Sequence, residues 1–260
     1  MCGRFVSASP PEEIAKYFAA DVFADPVETN ADGKVDAKAD GTGEAKAHVG
    51  PGTNFNVAPT SDVYVVYTDG GLRRLDEFRW GLVPSWAKGL AIGNKMINAR
   101  SETVAEKSAF KRSFERRRCI VPADGFYEWK SIPGQKTKQP YFISRPDGEP
   151  YAFGGLWAEW RGEVAGEAVT VRSTTILTTA ANEAMSEIHD RMPVMLAPGD
   201  WSEWLDPEQR DLSALGRLLV PAPSSLISMR PVSTEVNNVR NNGPQLLDEF
   251  DPTPDGALFS

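Results

Sequence analysis

Cys119-Ile-Val-Pro-Ala123, Phe126-Tyr-Glu-Trp-Lys130, Tyr141–Ser144, Tyr151–Trp157, Val169–Thr178, Pro193–Leu196 and Leu226–Val232 follow one another across the second half of the chain. Each is short, rich in β-branched or aromatic residues and bounded by Gly, Pro, Asp or Asn, the pattern of strands joined by turns. Helix-length segments do not alternate with them regularly, which favours an antiparallel arrangement over a parallel β-α-β sheet. The reading is an α+β fold, a single domain with a mostly antiparallel, barrel-like β core flanked by helices. Upstream, Val63–Tyr67 reads as a further strand, and Phe78–Trp86, aromatic but broken by Gly81 and Pro84, as a shaped loop. Helices are expected at about 10–20, opened by Ser9-Pro10-Pro11-Glu12, at about 101–117, at 201–205 and at 211–219.

The chain has 260 residues, 41% of them hydrophobic, enough to bury a sizeable core. One domain is expected over 1–260, with a flexible acidic insertion at about 25–52, where large apolar residues are nearly absent, and a flexible tail at about 251–260. The net charge of −8 argues at first against a nucleic-acid partner. Residues 25–49 and 245–260 carry −7 of it, leaving a nearly neutral body with a basic cluster at Lys107, Lys111, Arg112, Arg116, Arg117 and Arg118. That cluster suits either a solvated helix face or a nucleic-acid contact. Cys2 and Cys119 without a secretory signal suggest two free thiols in the cytoplasm, and no apolar run has bilayer-spanning length. His48 and His189 stand in no zinc-ligand spacing, so neither metal nor cofactor is expected.

Cys2 is the first candidate for chemistry, because removal of Met1 would leave one residue with two nucleophiles on adjacent carbons. Its amine, with a reference pKa of about 7.7–8.0, and its thiol, at about 8.5, both react near neutral pH. The amine can form an imine with an aldehyde, and the thiol can then close a five-membered thiazolidine. By position alone Cys2 equally suits a small, semi-buried cysteine of no special reactivity.

Met-Cys-Gly-Arg-Phe at 1–5, Asn56-Val-Ala-Pro59, Trp80-Gly-Leu-Val-Pro-Ser-Trp86, Asn98-Ala-Arg-Ser-Glu102, Asp124-Gly-Phe-Tyr-Glu-Trp-Lys130, Ile188-His-Asp-Arg-Met-Pro193 and a closing Pro231–Asn241 occur in that order. Together they resemble the SOS response-associated peptidase (SRAP) family over nearly the whole chain. The resemblance implies covalent capture of abasic sites in single-stranded DNA by a terminal cysteine, in the cytoplasm and, when bound, on the nucleoid. Under it Cys2 is the nucleophile, Asn98 positions the amine or the sugar, Glu128 is an acid/base and His189 a second proton donor. Arg4, Arg100 and Arg191 would meet phosphates, with Trp80 and Trp86 near a base-stacking surface. Taken singly, Glu128 reads as a surface strand residue, His189 as a structural histidine, Asn98 as a turn residue, Arg191 as the partner of an internal carboxylate, and the two tryptophans as core. Asn56 and Pro59 are expected to shape a loop. A monomer is expected.

Rival readings are an N-terminal-nucleophile thiol hydrolase, either a glutamine amidohydrolase or a peptidase with a Cys2–His189 pair, and a single-strand binding module in which Cys2 is incidental. Arg4 and Phe5 do not fit the amidohydrolases, whose fourth residue is typically Ile.

Overall fold

The computed structural model describes residues 2–22, 51–134 and 136–251. The expected acidic insertion, apart from Pro51 and Gly52, and the expected tail beyond Asp251 lie outside the described residues. The described elements run β1 (Phe5–Ser7), α1 (Pro11–Phe18), β2 (Asp21–Val22), β3 (Asn54–Val57), β4 (Asp62–Asp69), β5 (Leu72–Trp80), β6 (Asn98–Arg100), α2 (Lys111–Arg116), β7 (Arg118–Ala123), β8 (Gly125–Lys130), β9 (Gln139–Ser144), β10 (Tyr151–Val164), β11 (Glu167–Ala180), α3 (Glu183–Ser186), β12 (Arg191–Pro193), α4 (Trp201–Leu205), α5 (Leu212–Arg217) and β13 (Ser228–Pro231).

Antiparallel pairing links β5, β4, β7, β10 and β11 in that order, and a parallel pairing of Ser173 and Thr174 with Arg79 and Trp80 returns β11 to β5. The result is a closed five-strand mixed barrel, which leaves none of its strands as an open edge along the closure. A second sheet, β13-β9-β8-β1-β3, packs beside it. The expected α+β class with a mostly antiparallel barrel core is therefore what the chain forms.

Closure explains why the central strands are apolar on both faces. In β4, Val63, Val65 and Tyr67 join one buried cluster with Phe78, Trp80, Cys119, Val121, Phe153 and Ile176. The alternating Tyr64 and Val66 join another with Ile120, Leu156, Leu177, Phe114, Trp204 and Leu215. Period-two alternation thus feeds two cores, one within the barrel and one beneath the helices. A third small cluster holds Val6, Tyr127, Phe142, Val232, Val236 and Leu246.

Three local expectations are corrected. Ser9 does not cap α1, because its amide and hydroxyl both bond to Asp124, and Pro10 takes the cap position. The helix expected over 101–117 reduces to a 3₁₀ turn at Ser101–Thr103 and to α2, with Val104, Phe110 and Phe114 nonetheless buried. Phe78 and Trp80 belong to β5, and the shaped loop begins only at Gly81. There the chain doubles back so closely that a Cβ on Gly81, whose φ is +121°, would stand 2.6 Å from the Gly93 carbonyl oxygen. Only glycine fits such a contact at positive φ.

Trp80, expected near a base-stacking surface, is wholly enclosed. Its ring meets Phe5 edge-on at 5.1 Å, and its indole N–H donates to the Ile97 carbonyl at 2.9 Å. Trp80→Ala would leave a cavity and an unpartnered buried carbonyl, so we expect urea denaturation to show a loss of about 3–5 kcal/mol. Wild-type stability in that variant would remove Trp80 from the core.

Candidate active site

The site is assembled by β1. Phe5 pairs antiparallel with Phe126 on β8 and with Val57 on β3, and the Tyr127 amide donates to the Arg4 carbonyl at 2.9 Å. Continuing that register toward the amino terminus brings Cys2 opposite Trp129, one residue from Glu128, whose carboxylate acts on the Cys2 thiol. β8 approaches its neighbours this closely because residue 125 is glycine: a Cβ there would lie 2.4 Å from the Phe142 ring. Cys2 is fully buried in the barrel-side cluster, and Glu128, read in isolation as a surface strand residue, is 3% exposed.

Burial pushes the Cys2 thiol far above its ordinary pKa, and the Glu128 carboxylate adds to the rise. The thiol is therefore held neutral at physiological pH and needs a proton acceptor when it attacks. Asn98, on β6, donates its side-chain amide to the Cys2 carbonyl at 2.7 Å. Its other side-chain atom, Oδ1, is buried without a hydrogen bond. Parallel pairing of β6 with β11, Asn98 opposite Ile176, fixes that position.

His189 lies in the turn between α3 and β12, half-buried, with its backbone amide bonded to the Met185 carbonyl. Its Nδ1 stands 3.0 Å from the Arg191 amide and 2.8 Å from Asp190 Oδ1. One atom cannot accept and donate at once, so the neutral ring takes the amide and a protonated ring takes the carboxylate. Asp190 is 86% exposed and shared with water, which makes the amide the firmer partner. In the neutral ring Nδ1 accepts from the Arg191 amide, which fixes the ring's orientation and leaves Nε2 carrying the N–H. Lys130 Nζ, 3.9 Å from Glu187, links the end of β8 to this turn.

The remaining expected residues divide. Arg4 is not turned outward: it donates to Asn56 Oδ1 at 2.7 Å and the Val236 carbonyl at 2.9 Å, and sits 5.9 Å from the Trp129 ring centre. Burial lowers its pKa. Arg191 forms a two-pronged ion pair with Glu102, which holds that carboxyl below its usual range, and also donates to the Thr178 carbonyl at 2.6 Å. Arg100 ends β6 exposed, and Trp86 is 58% exposed.

The clamp around Arg4 escapes sequence reading. Asn56 donates to the carbonyls of Val236, Asn238 and Asn241, Trp129 donates to Asn237 Oδ1, and Tyr127 donates to the Phe55 carbonyl. The closing segment thereby becomes one wall of the site. Paired asparagines at 237–238 and 241–242 were the available signal. Among the described residues no three His, Cys, Asp or Glu gather as a metal would need, and no helix is long and apolar enough to cross a membrane.

Residues 1–239 match the family model described as SOS response associated peptidase (SRAP). The abasic site processing protein YoqW of Bacillus subtilis (strain 168) is 38% identical over 248 residues, covering 95% of this chain and 99% of the relative. The abasic site processing protein YedK of Escherichia coli (strain K12) is 32% identical over 256 residues, covering 95% and 99%. A crystal structure of a protein from Bacteroides thetaiotaomicron superposes with a TM-score of 0.76 at 21% identity, over 96% of this chain and 100% of that one, and so shares the fold. The chain belongs to the SOS response-associated peptidase family.

Proposed function

We propose that this protein processes abasic sites in DNA by capturing them, in single-stranded DNA, as a covalent thiazolidine on Cys2 after Met1 is removed. The observation that carries the reading is the enclosure of Cys2 between Asn98 and Glu128, with an unused acceptor, Asn98 Oδ1, beside it. The abasic site processing relatives support the same reading.

The chemistry follows from the groups. An abasic deoxyribose is mostly a closed hemiacetal, and proton donation by His189 to the ring oxygen, as the C1′ hydroxyl proton passes to the Glu128 carboxylate, opens it to the C1′ aldehyde. The freed Cys2 amine, oriented by Asn98 Oδ1, adds to that carbonyl. The carbinolamine loses water to give an imine, with Glu128 carrying the protons. Sγ then bonds to C1′ as the thiol proton passes through Glu128 to the nitrogen, and the five-membered ring is complete. Cys2, the DNA and the named side chains supply every atom that moves.

Arg100 takes a phosphate directly, Arg191 only on release from Glu102, and Arg4 serves the clamp. The protein acts in this reading as a cytoplasmic monomer. A thiol peptidase relying on a Cys2–His189 ion pair is disfavoured, because the groups acting on Cys2 hold it as a thiol.

Intact-mass spectrometry after mixing with an oligonucleotide carrying one abasic site should give the Met1-free protein plus the DNA less one water. A mass with no water lost, or no adduct, would contradict the imine route.

A further inference from the structure

The ion pair between Glu102 and Arg191 is unequally anchored. The Arg191 side chain is 13% exposed and starts from β12, and its Nη2 donates to the Thr178 carbonyl at 2.6 Å as well as to Glu102 Oε2 at 2.9 Å, while Nη1 donates to Oε1. The Glu102 side chain is 51% exposed and sits on the 3₁₀ turn Ser101–Thr103. The arginine is built into the wall, and the carboxylate reaches it from the solvent side.

The fork has no second edge to offer. Arg191 Nε is buried without a hydrogen-bond partner, so an incoming anion cannot use the side-on edge. The end-on pair, Nη1 and Nη2, is left, and Glu102 holds it in the two-pronged geometry that a phosphate needs.

The sheet register relates this seat to the Cys2 site. β11 meets Asn98 at Ile176 and Arg100 at Thr178, the residue whose carbonyl anchors Arg191. The seat therefore lies about 7 Å along β11 from the level of the asparagine that holds Cys2. Arg100 is exposed and, after Arg191, also favours the ionised form of Glu102. A phosphate put in place of the carboxylate would meet both arginines.

We propose that Glu102 is an internal stand-in for a DNA phosphate: in the free protein it occupies the seat on Arg191, and a phosphate beside the captured sugar displaces it. The inference rests on DNA being the partner and deepens that reading by naming what keeps other anions out of the seat. Glu102 belongs to the chain, so it competes at high effective concentration. A free anion does not match it. A phosphate on a strand already held at Arg100 and Cys2 arrives tethered as well, and does. Glu102 thus selects a strand over loose anions at some loss of affinity.

The test uses the full-length protein and a single-stranded oligonucleotide carrying a tetrahydrofuran analogue, which has no aldehyde to react. Binding is read by fluorescence anisotropy. E102Q keeps the shape and removes the charge, and should bind roughly five-fold or more tighter than wild type. R191Q should bind more weakly than wild type, and E102Q/R191Q no more tightly than R191Q, because the stand-in then has no seat to guard. Thermal denaturation checks each variant for folding. If R191Q is unfolded, R191K takes its place in the cycle, and the gain from E102Q should shrink there, since a lysine has no fork. Replacing chloride by sulfate at fixed ionic strength should weaken oligonucleotide binding more in E102Q than in wild type.

Weaker binding by E102Q overturns the proposal, because Glu102 would then be aiming Arg191 at the phosphate. An equal gain with and without the Arg191 fork overturns it too, since the carboxylate would only be repelling the strand through space. Equal inhibition by sulfate in both proteins removes the selection. Adduct formation with a true abasic oligonucleotide is scored separately. Its failure alongside the expected cycle would remove the covalent step and leave the role of Glu102 standing, whereas absence of binding by every form would remove DNA as the partner and the proposal with it.

Discussion

Cys2→Ala should abolish the heat-stable adduct with abasic single-stranded DNA, at every pH and after any incubation. The expectation is absolute because the residue supplies both bonds to C1′ in the proposed product, whereas general acid/base groups change only rates. Cys2→Ser separates the two bonds. Its amine is still placed by Asn98 and forms the imine, but a hydroxyl closes the ring poorly, so its adduct should survive denaturation only after borohydride reduction. A variant engineered to retain Met1 should fail like Cys2→Ala, because a peptide nitrogen does not form imines. Gel shift under denaturing conditions, with and without reduction, reads all of these. Thermal denaturation shows whether the loss of a buried sulfur has unfolded the barrel. An equally heat-stable product from folded Cys2→Ala would make a lysine the nucleophile and end the thiazolidine proposal.

Glu128→Gln should slow capture by about 10²–10⁴-fold in single-turnover measurements while leaving the final yield of adduct intact. The substitution preserves shape in a strand whose neighbours are packed on both sides, and it removes only the proton carrier. It also has a second consequence of opposite sense. The Glu128 carboxylate is one of the causes that raise the Cys2 thiol pKa, after burial itself, so the glutamine variant should ionise its thiol at lower pH than wild type. Thiolate absorbance near 240 nm, taken as the difference from the same variant lacking Cys2, would show that shift. A more easily formed thiolate with a slower reaction is the combination that identifies proton transfer as the missing step. Unchanged capture rates would return Glu128 to a structural role, whatever the thiol does.

The strands of the second half were legible because β-branched and aromatic residues fill both faces of the barrel, so their runs stand out without any partner being known. β5 was harder to see. Arg73, Arg74, Asp76, Glu77 and Arg79 make it look like surface chain, yet these charges are taken up by neighbours, Arg73 by the Phe18 carbonyl and Asp76 by Arg172. Alternation across Phe78 and Trp80 would have placed both rings inward and foretold the burial of Trp80. β6 could not be read at all, since three residues become a strand only by pairing with β11. In the site, the chemistry of Cys2 is visible in its position, but its meeting with Asn98 and Glu128 depends on contacts across about a hundred residues or more of chain, and only the family resemblance brought them together. Arg4 and Arg191 show the limit: an arginine's sequence context does not say whether its fork faces phosphate or, as here, Asn56 and Glu102.

The clamp that seats β1 joins residues separated by 232 positions, Arg4 to the Val236 carbonyl. A chain made from its amino end at about 5–20 residues per second therefore carries Cys2 for roughly 10–50 seconds before its last wall exists. Throughout that interval one wall of the site is missing, and on the proposed reading the terminus meets the aminopeptidase that would release the amine. Once residues 228–241 have been made and docked, the last wall of the site is in place and the Cys2 side chain has zero exposure. On the proposed reading the order of synthesis thus acts as a timer: the terminus is trimmed while the protein is being made, and the closing segment sets it in the site afterwards.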